Sequence, residues 1–327
     1  MSKLATIVQA FRRSGVQAIS ISQSNENADK VNPNFIYNRF DLWTGHEGCT
    51  HETLCITDGT NEFYVQVLYE NDTAELGLWL SKIPGEYAKE LSRYIFRKHR
   101  EVKRIKFQRC FTDISVSNKT NHFRIEIPAS IEELNQRLTH KFKYNMRRER
   151  KMLEAEAGSL TFEEYEAGKF PDDLFTSYFR LKEQTHGRSY HMTGKEYTGT
   201  YHVSNAYVIR GGKGEIISLV LSCEQCPVTY IENLTYDTKY SKYSPGKMIY
   251  HYFLEALIRK GTKELYLSGG KGKNYEYKRH YGSIEEFVYS GVIHRHLHMR
   301  ILFALKVMIK RLIPEGFKKR IKSVLGR

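Results

Sequence analysis

Residues 206–268 impose the strongest constraint on the fold. Three β-rich runs, Ala206–Arg210, Glu215–Cys223 and Val228–Thr235, follow one another with turn signals at Gly211-Gly212 and Cys226-Pro227. Turns this short join antiparallel neighbours. Pro245–Lys260 then reads as a helix stopped by Gly261, and Leu265–Ser268 as a short strand. A strand–helix–strand unit of this kind crosses over with right-handed chirality. Upstream, Thr161–Tyr165 reads as a strand and Asp172–Glu183 as a helix; downstream, Glu286–Tyr289 reads as a last strand. The pattern predicts an α/β (α+β) half whose sheet is mixed, mostly antiparallel and flanked by helices.

The first half repeats this order more loosely. Glu52–Thr57 and Glu62–Tyr69 are strand-like around Asp58-Gly59-Thr60-Asn61. Gly85–Lys98 is helical, and Asn121–Ile127 alternates like a strand. Ser130 and Glu133 form a capping-box pattern for a helix. Two similarly built halves suit a chain of 327 residues. The boundaries expected are 1–137 for the first half, 138–158 for a connecting helix, 159–293 for the second half and 294–327 for a tail. The connecting helix, Leu138–Ala157, sets Leu138, Phe142, Met146, Leu153 and Ala157 on one face. Its other faces carry Lys141, Lys143, Arg147, Arg148, Arg150 and Lys151.

Net charge is +14, which suggests an anionic partner. Its distribution narrows that suggestion. Residues 294–327 hold ten basic side chains and one acid, Glu315, so +9 of the excess lies there. This tail reads as an amphipathic helix with Leu297, Ile301, Leu305, Met308 and Leu312 on one face. It suits an anionic membrane surface, or packing against the protein with its charges solvated. A global electrostatic case for RNA or DNA is thereby weakened, and no DNA partner is expected. The N-terminal 22 residues lack a secretory apolar core, and no window offers ~18 uncharged apolar residues for a spanning helix. With five cysteines, the chain is expected in the cytoplasm, peripheral at most on the inner face of the membrane. Cys223 and Cys226 have C-x-x-C spacing but no second pair completes a zinc site, so a hairpin turn is expected and no metal.

Chemistry concentrates in residues 240–281. Ser244 reads as an N-cap, Pro245 as N1, and Gly246 leaves the first turn open. A strand feeding such a helix start presents free N–H groups and the positive dipole end, a cradle for phosphate or carboxylate. Lys247 adds a mobile positive charge. Gly269-Gly270-Lys271-Gly272 forms a second glycine turn, followed by Tyr277-Lys278.

Tyr236-Asp237, Tyr243-Ser244-Pro245-Gly246, the helix to Gly261, Leu265–Gly270, Tyr277-Lys278 and Tyr281-Gly282 together resemble the CelD/BcsL-like acyltransferases of the GNAT superfamily, which are close to the FemAB transferases. The segment Tyr144–Gly158 resembles the Arg-rich helix of the same family, and the likeness spans about residues 130–290. It implies tandem GNAT-like halves and acyl transfer, with acyl-coenzyme A as donor. Ser244, Pro245, Gly246, Lys247, Gly269, Gly270, Tyr277 and Lys278 fall on its donor-site motifs. Two departures stand out. Ser268 replaces a common acidic residue, and the usual Arg/Gln-x-x-Gly-x-Gly/Ala loop gives way to Ser244-Pro245-Gly246.

Acyl transfer to an amine needs a base and an oxyanion site. Glu232 and Asp237 lie on or just after the strand that borders the cleft in a GNAT-like half; each is a candidate base or an ordinary structural acid. Tyr281, with His280, is a candidate for protonating the leaving group. Arg147 and Arg148 are candidates for an acceptor's phosphates. The expected acceptor is a nucleotide-linked or lipid-linked amino sugar for surface polysaccharide. The rivals are aminoacyl transfer from charged tRNA and a non-catalytic module that binds nucleic acid or scaffolds a membrane assembly.

Overall fold

The computed structural model describes residues 19–24, 49–78, 83–114, 117–187, 189, 191–201, 203–225, 227–267, 279–296, 298–299, 301 and 305. Two compact units emerge, Met1–Thr120 with Phe287–Arg327, and Asn121–Glu286. The chain passes between them inside two strands, whereas the sequence reading set its boundaries around the Arg-rich helix. That helix buries Phe142, Leu153 and Ala157 in the core of the second unit, so it belongs to that unit.

The first unit contains β1 (Ser20–Ser24), β2 (Cys49–Thr57), β3 (Glu62–Glu70), β4 (Thr73–Leu76), α1 (Gly85–Lys98) and β5 (Arg104–Cys110). Strands β1 to β4 are successive antiparallel neighbours. Helix α1 then crosses over to β5, which pairs parallel to β4. The last described strand, β12 (Ile284–His294), pairs antiparallel to β5. It is longer than the expected Glu286–Tyr289. Its register against β5 shifts between Tyr289 and Gly291, and pairing continues from Gly291 to His294.

A buried ion cluster joins β2 to the end of α1. Glu52 accepts hydrogen bonds from the Tyr69 hydroxyl at 2.5 Å and from Lys98 Nζ at 2.6 Å, with His99 Nε2 3.2 Å away. Burial alone would raise the Glu52 carboxyl. The hydrogen bonds from Lys98 and Tyr69 and the charges of Lys98 and His99 outweigh it and hold the carboxyl below its ordinary value of 4.5. A carboxyl lowered on folding stabilises the protein above its unfolded pKa, and the contribution is lost as pH falls through the folded value. Stability measured by urea unfolding should therefore decline below pH 4.5, and Glu52→Gln should flatten that part of the profile. An unchanged slope in the variant would assign the acid loss elsewhere. Beside this cluster, Arg295 donates to the carbonyls of His99 and Val102 at 2.6 and 2.8 Å. The first basic residue of the tail region is thus a structural clasp.

The second unit holds β6 (Ser117–Glu126, from residue 121 on), α2 (Ile131–Arg137), α3 (His140–Ala157), β7 (Thr161–Glu166), α4 (Asp173–His186), α5 (Gly194–Tyr201), β8 (Asn205–Arg210), β9 (Ile216–Gln225), β10 (Val228–Tyr236), a 3-10 turn (Thr238–Tyr243), α6 (Pro245–Arg259) and β11 (Glu264–Leu267). Strands β7 to β10 form an antiparallel meander. Helix α6 crosses over to β11, parallel to β10, and β6 pairs antiparallel to β11. Each unit thus runs an antiparallel meander, a helical crossover to a parallel strand, and a closing antiparallel strand: the mixed, GNAT-like plan expected twice.

Both faces of this meander are covered, which explains why β8 and β9 read as nearly continuous apolar runs. Tyr207, Ile209, Ile217 and Val220 meet α3 and α6 on one face. Ala206, Val208, Ile216, Leu219 and Leu221 meet Leu174, Tyr178 and Leu181 of α4 and Tyr197 of α5 on the other. The predicted single helix from Leu138 is divided. Leu138 closes α2, and Thr139 starts α3 by accepting from the Phe142 N–H at 3.2 Å. Apolar spacing runs through this break because Leu138 and Phe142 enter the same core. The β9–β10 hairpin closes with Gln225 opposite Val228, as the Cys226-Pro227 turn predicts.

Candidate functional site

The site is built around β10. Its parallel ladder with β11 joins only Val228–Tyr230 to Glu264–Tyr266, although β10 continues to Tyr236. On its other edge β10 stays paired with β9 throughout, with a register shift between Ile231 and Asn233 that leaves Glu232 as the extra residue of a bulge. Beyond the bulge, among the described residues, the backbone of 231–236 has no ladder partner on the β11 side. Backbone N–H groups left without a ladder partner can donate to a ligand's carbonyl. Glu232 itself is half-buried.

Helix α4 pins this strand from one face. Lys182, only 5% exposed, donates from Nζ to Asn233 Oδ1 at 2.6 Å. The Thr185 and Thr235 hydroxyls lie 3.1 Å apart, and Arg180 pairs with Asp237 at 3.1 Å. Lys182, Asn233 and Arg180 were not singled out by sequence. The available signal was a lysine at i+4 from Tyr178 and next to Leu181, both core residues. Replacing Lys182 with Met should leave Asn233 Oδ1 under-bonded. A double-mutant cycle with Asn233→Leu should give a coupling of about 1.5–3 kcal/mol, the range for a hydrogen bond to a charged group. Additive effects would show that the contact contributes nothing.

Asp237 is already engaged. Besides Arg180, it accepts from the Lys239 N–H at 3.0 Å and caps the 3-10 turn. It holds the link between β10 and α6 in place. Ser244 does precede α6, but its side chain makes no capping bond, and its backbone is left-handed at φ +53°. Gly246 is needed for close approach: a Cβ there would lie 3.1 Å from Tyr236 Cδ1 and 3.3 Å from Leu234 Cδ2. Pro245 occupies N1 as expected.

Lys247 is not the mobile charge the sequence suggested. It forms an ion pair with Glu149 of α3, and both side chains are only 17% exposed. Its ammonium also lies 5.3 Å from the centre of the Phe142 ring. Farther along α3, Glu156 accepts from the Tyr243 hydroxyl and pairs with Lys242 at 3.1 Å. The Arg-rich helix therefore braces the start of α6 through two acids on its inner side. Arg147 and Arg148 lie on its outer side, exposed and without an ion pair among the described residues.

Tyr281 is fully buried, with ring centroids 5.6 Å from Phe142 and 5.1 Å from Tyr250. This is a core position, away from the exposed surface where His280 lies. Gly269, Gly270, Tyr277 and Lys278 lie outside the described residues, as do Cys226 and most of the tail. Burial and the charges of Glu232 and Glu224 push the Cys223 thiol up to about 12, so it is protonated and unreactive at neutral pH. Among the described residues no cluster of His, Cys, Asp and Glu could hold a metal, and no helix is long and apolar enough to cross a membrane.

Residues 140–279 match the family model of the acetyltransferase (GNAT) domain. No curated protein matches the sequence. Among solved structures, FemX is similar at 8% identity and a TM-score of 0.59, covering 82% of this chain and 96% of FemX. L-PGS from Bacillus licheniformis is similar at 11% identity and a TM-score of 0.50, over 75% of this chain and 85% of that one. The C-terminal domain of an assigned lysylphosphatidylglycerol synthetase from Agrobacterium fabrum is similar at 12% identity and a TM-score of 0.50, over 75% and 84%. At such identities the likeness is one of fold.

Proposed function

We propose that this acyltransferase, with its GNAT domain at residues 140–279, transfers an acyl group from acyl-coenzyme A to the amino group of a nucleotide-linked or lipid-linked amino sugar in surface-polysaccharide synthesis. The observation that carries the reading is the bulge at Glu232 in β10, the strand that leads into the α6 N-terminus. Backbone N–H groups of the bulged strand suit a thioester carbonyl, and the helix start suits a diphosphate. Lys247 fits the same anion once it leaves Glu149. In the reaction the acceptor nitrogen bonds to the carbonyl carbon. Strand N–H groups stabilise the oxyanion, the C–S bond breaks, and the thiol leaves with a proton. Glu232 is the proposed base; Asp237 serves as a positioning residue because both its oxygens are engaged. The resemblance to CelD/BcsL-like enzymes supports the amino-sugar acceptor.

The test is native mass spectrometry and calorimetry of the purified chain with acetyl-coenzyme A, coenzyme A and charged tRNA. Saturable one-to-one binding of acetyl-coenzyme A is expected. Its absence, with tight tRNA binding, would overturn the donor. The rival, aminoacyl transfer from charged tRNA, is favoured by one observation. Lys141, Tyr144, Arg148 and Lys151 share an exposed face of α3. Binding through that face would weaken steeply with salt.

Residues 294–327 are proposed to rest on an anionic membrane, with Arg295 held back as a clasp. Flotation with phosphatidylglycerol liposomes should be lost when residues 297–327 are removed. Equal flotation of both forms would refute the proposal.

A further inference from the structure

The second unit has a concave surface that none of the foregoing uses. It lies between the turn at Gly168, the first two turns of α4 and the start of α5, and encloses about 550 Å³. Small-molecule sites span roughly 300–1,000 Å³. Its walls are aromatic. Phe170, Phe175 and Phe179 are each half-buried, with Phe175 edge-on to Phe170 at 5.7 Å and 6.1 Å from Phe179. Its rim is polar. Asp172, Thr176 and Lys195 are exposed there.

The walls are held in shape. Thr193 and Glu196 cap the start of α5 reciprocally, with the Thr193 N–H donating to Glu196 Oε2 at 2.6 Å and the Glu196 N–H to Thr193 Oγ1 at 3.2 Å. A Cβ on Gly194 would lie 2.5 Å from the Phe175 ring, so only glycine lets α5 close against it. Behind them the Tyr178 and Tyr197 hydroxyls meet at 2.6 Å in the buried layer. Asp172 precedes α4 in the N-cap position yet makes no side-chain capping bond. Its carboxylate is not used by its own helix. Among the described residues Lys195 makes no ion pair.

The lining chemistry selects the occupant. An acyl chain needs apolar walls and gains nothing from Asp172, Thr176 or Lys195. A polyanion is opposed by Asp172. A pyranose has C–H faces for aromatic walls and hydroxyls around its edge for a mixed rim of donors and acceptors. We propose that this pocket binds a hexose ring of the acceptor. The inference rests on the amino-sugar reading above and assigns a place to that sugar. Helix α4 makes the placement economical. Phe179 and Lys182 are ~4.5 Å apart along its axis, so one rigid element carries both the pocket wall and the contact to Asn233 of the cleft strand.

The experiment is saturation-transfer NMR and calorimetry on the full chain with D-glucosamine, N-acetyl-D-glucosamine and octanoate, and acetyl-coenzyme A binding read in the same samples. Saturable binding of the two sugars is expected, with transfer to ring protons. Phe179→Ala should weaken it about tenfold, the scale of one lost aromatic contact. Lys195→Met, an exposed change that spares the core, should weaken it as well. Sugar binding that ignores both variants, or octanoate binding more tightly than either sugar, would overturn the pocket. Acetyl-coenzyme A bound without any sugar would also overturn it and leave the donor reading intact. Sugar binding sensitive to both variants, without acetyl-coenzyme A binding, would support the pocket and overturn the donor.

Discussion

Gly246→Trp is expected to lower kcat/KM for acyl transfer by about 100-fold or more, the scale set by misplacing a reacting group by an ångström. The reason is the fit between α6 and β10. Even a methyl group at this position would stand 3.1 Å from Tyr236 and 3.3 Å from Leu234. An indole must part the helix from the strand. The donor's diphosphate and its carbonyl would then lose their shared frame. Gly246→Ala is the informative companion. It asks the two side chains to give by only a few tenths of an ångström, so its effect should be much smaller. Calorimetry with acetyl-coenzyme A and a thermal melt on each variant separate loss of the site from loss of the fold. If the tryptophan variant is folded and binds acetyl-coenzyme A like the wild type, the donor does not lie at the start of α6.

How far this site was legible depends on the range of the contacts involved. Local chemistry was readable. Pro245 at N1, the Gly246 approach, the Ser130–Glu133 cap and the Cys226-Pro227 hairpin all depend on residues a few positions apart. Contacts between distant elements were not. Lys247 looked mobile because nothing near it in sequence neutralises it, yet Glu149 of α3 does. Asp237 looked like a base because it follows a cleft strand, yet it is spent on capping and on Arg180. An acid followed by Thr and a lysine-rich turn carries a capping signal that favours the structural role. Lys182 carries no such signal, because a lysine on an amphipathic helix is usually solvated. Only the packing of α4 on β10 makes it a buried donor. The bulge at Glu232 left no mark, since strand composition is the same with or without one extra residue.

The largest stability effect should come from Phe253→Ala, at about 3–5 kcal/mol, the range for removing a buried aromatic ring. Phe253 is fully buried on the inner face of α6, and its ring stands 4.7 Å from that of Tyr207, edge to face. Tyr207 belongs to β8, whose other neighbours carry the meander, so the pair ties the crossover helix to the sheet. Collapse into the space is hindered on both sides. Ile249 and Leu257 on α6 are themselves fully buried, and Tyr207 is fixed by hydrogen bonds to Glu224 and Lys260. The void should therefore persist, and the cost should fall in the upper part of the range. Phe253→Leu keeps most of the volume and should cost less than about 1.5 kcal/mol. Urea unfolding monitored by far-ultraviolet circular dichroism reads both values from the midpoint shift at constant slope. On the proposed placement of the donor at the start of α6, the alanine variant should bind acetyl-coenzyme A more weakly even where it is still folded. A loss below 1 kcal/mol would mean that α6 is held chiefly by its ends, through Glu149 and Lys260, and that the packing seen around Phe253 does not govern it.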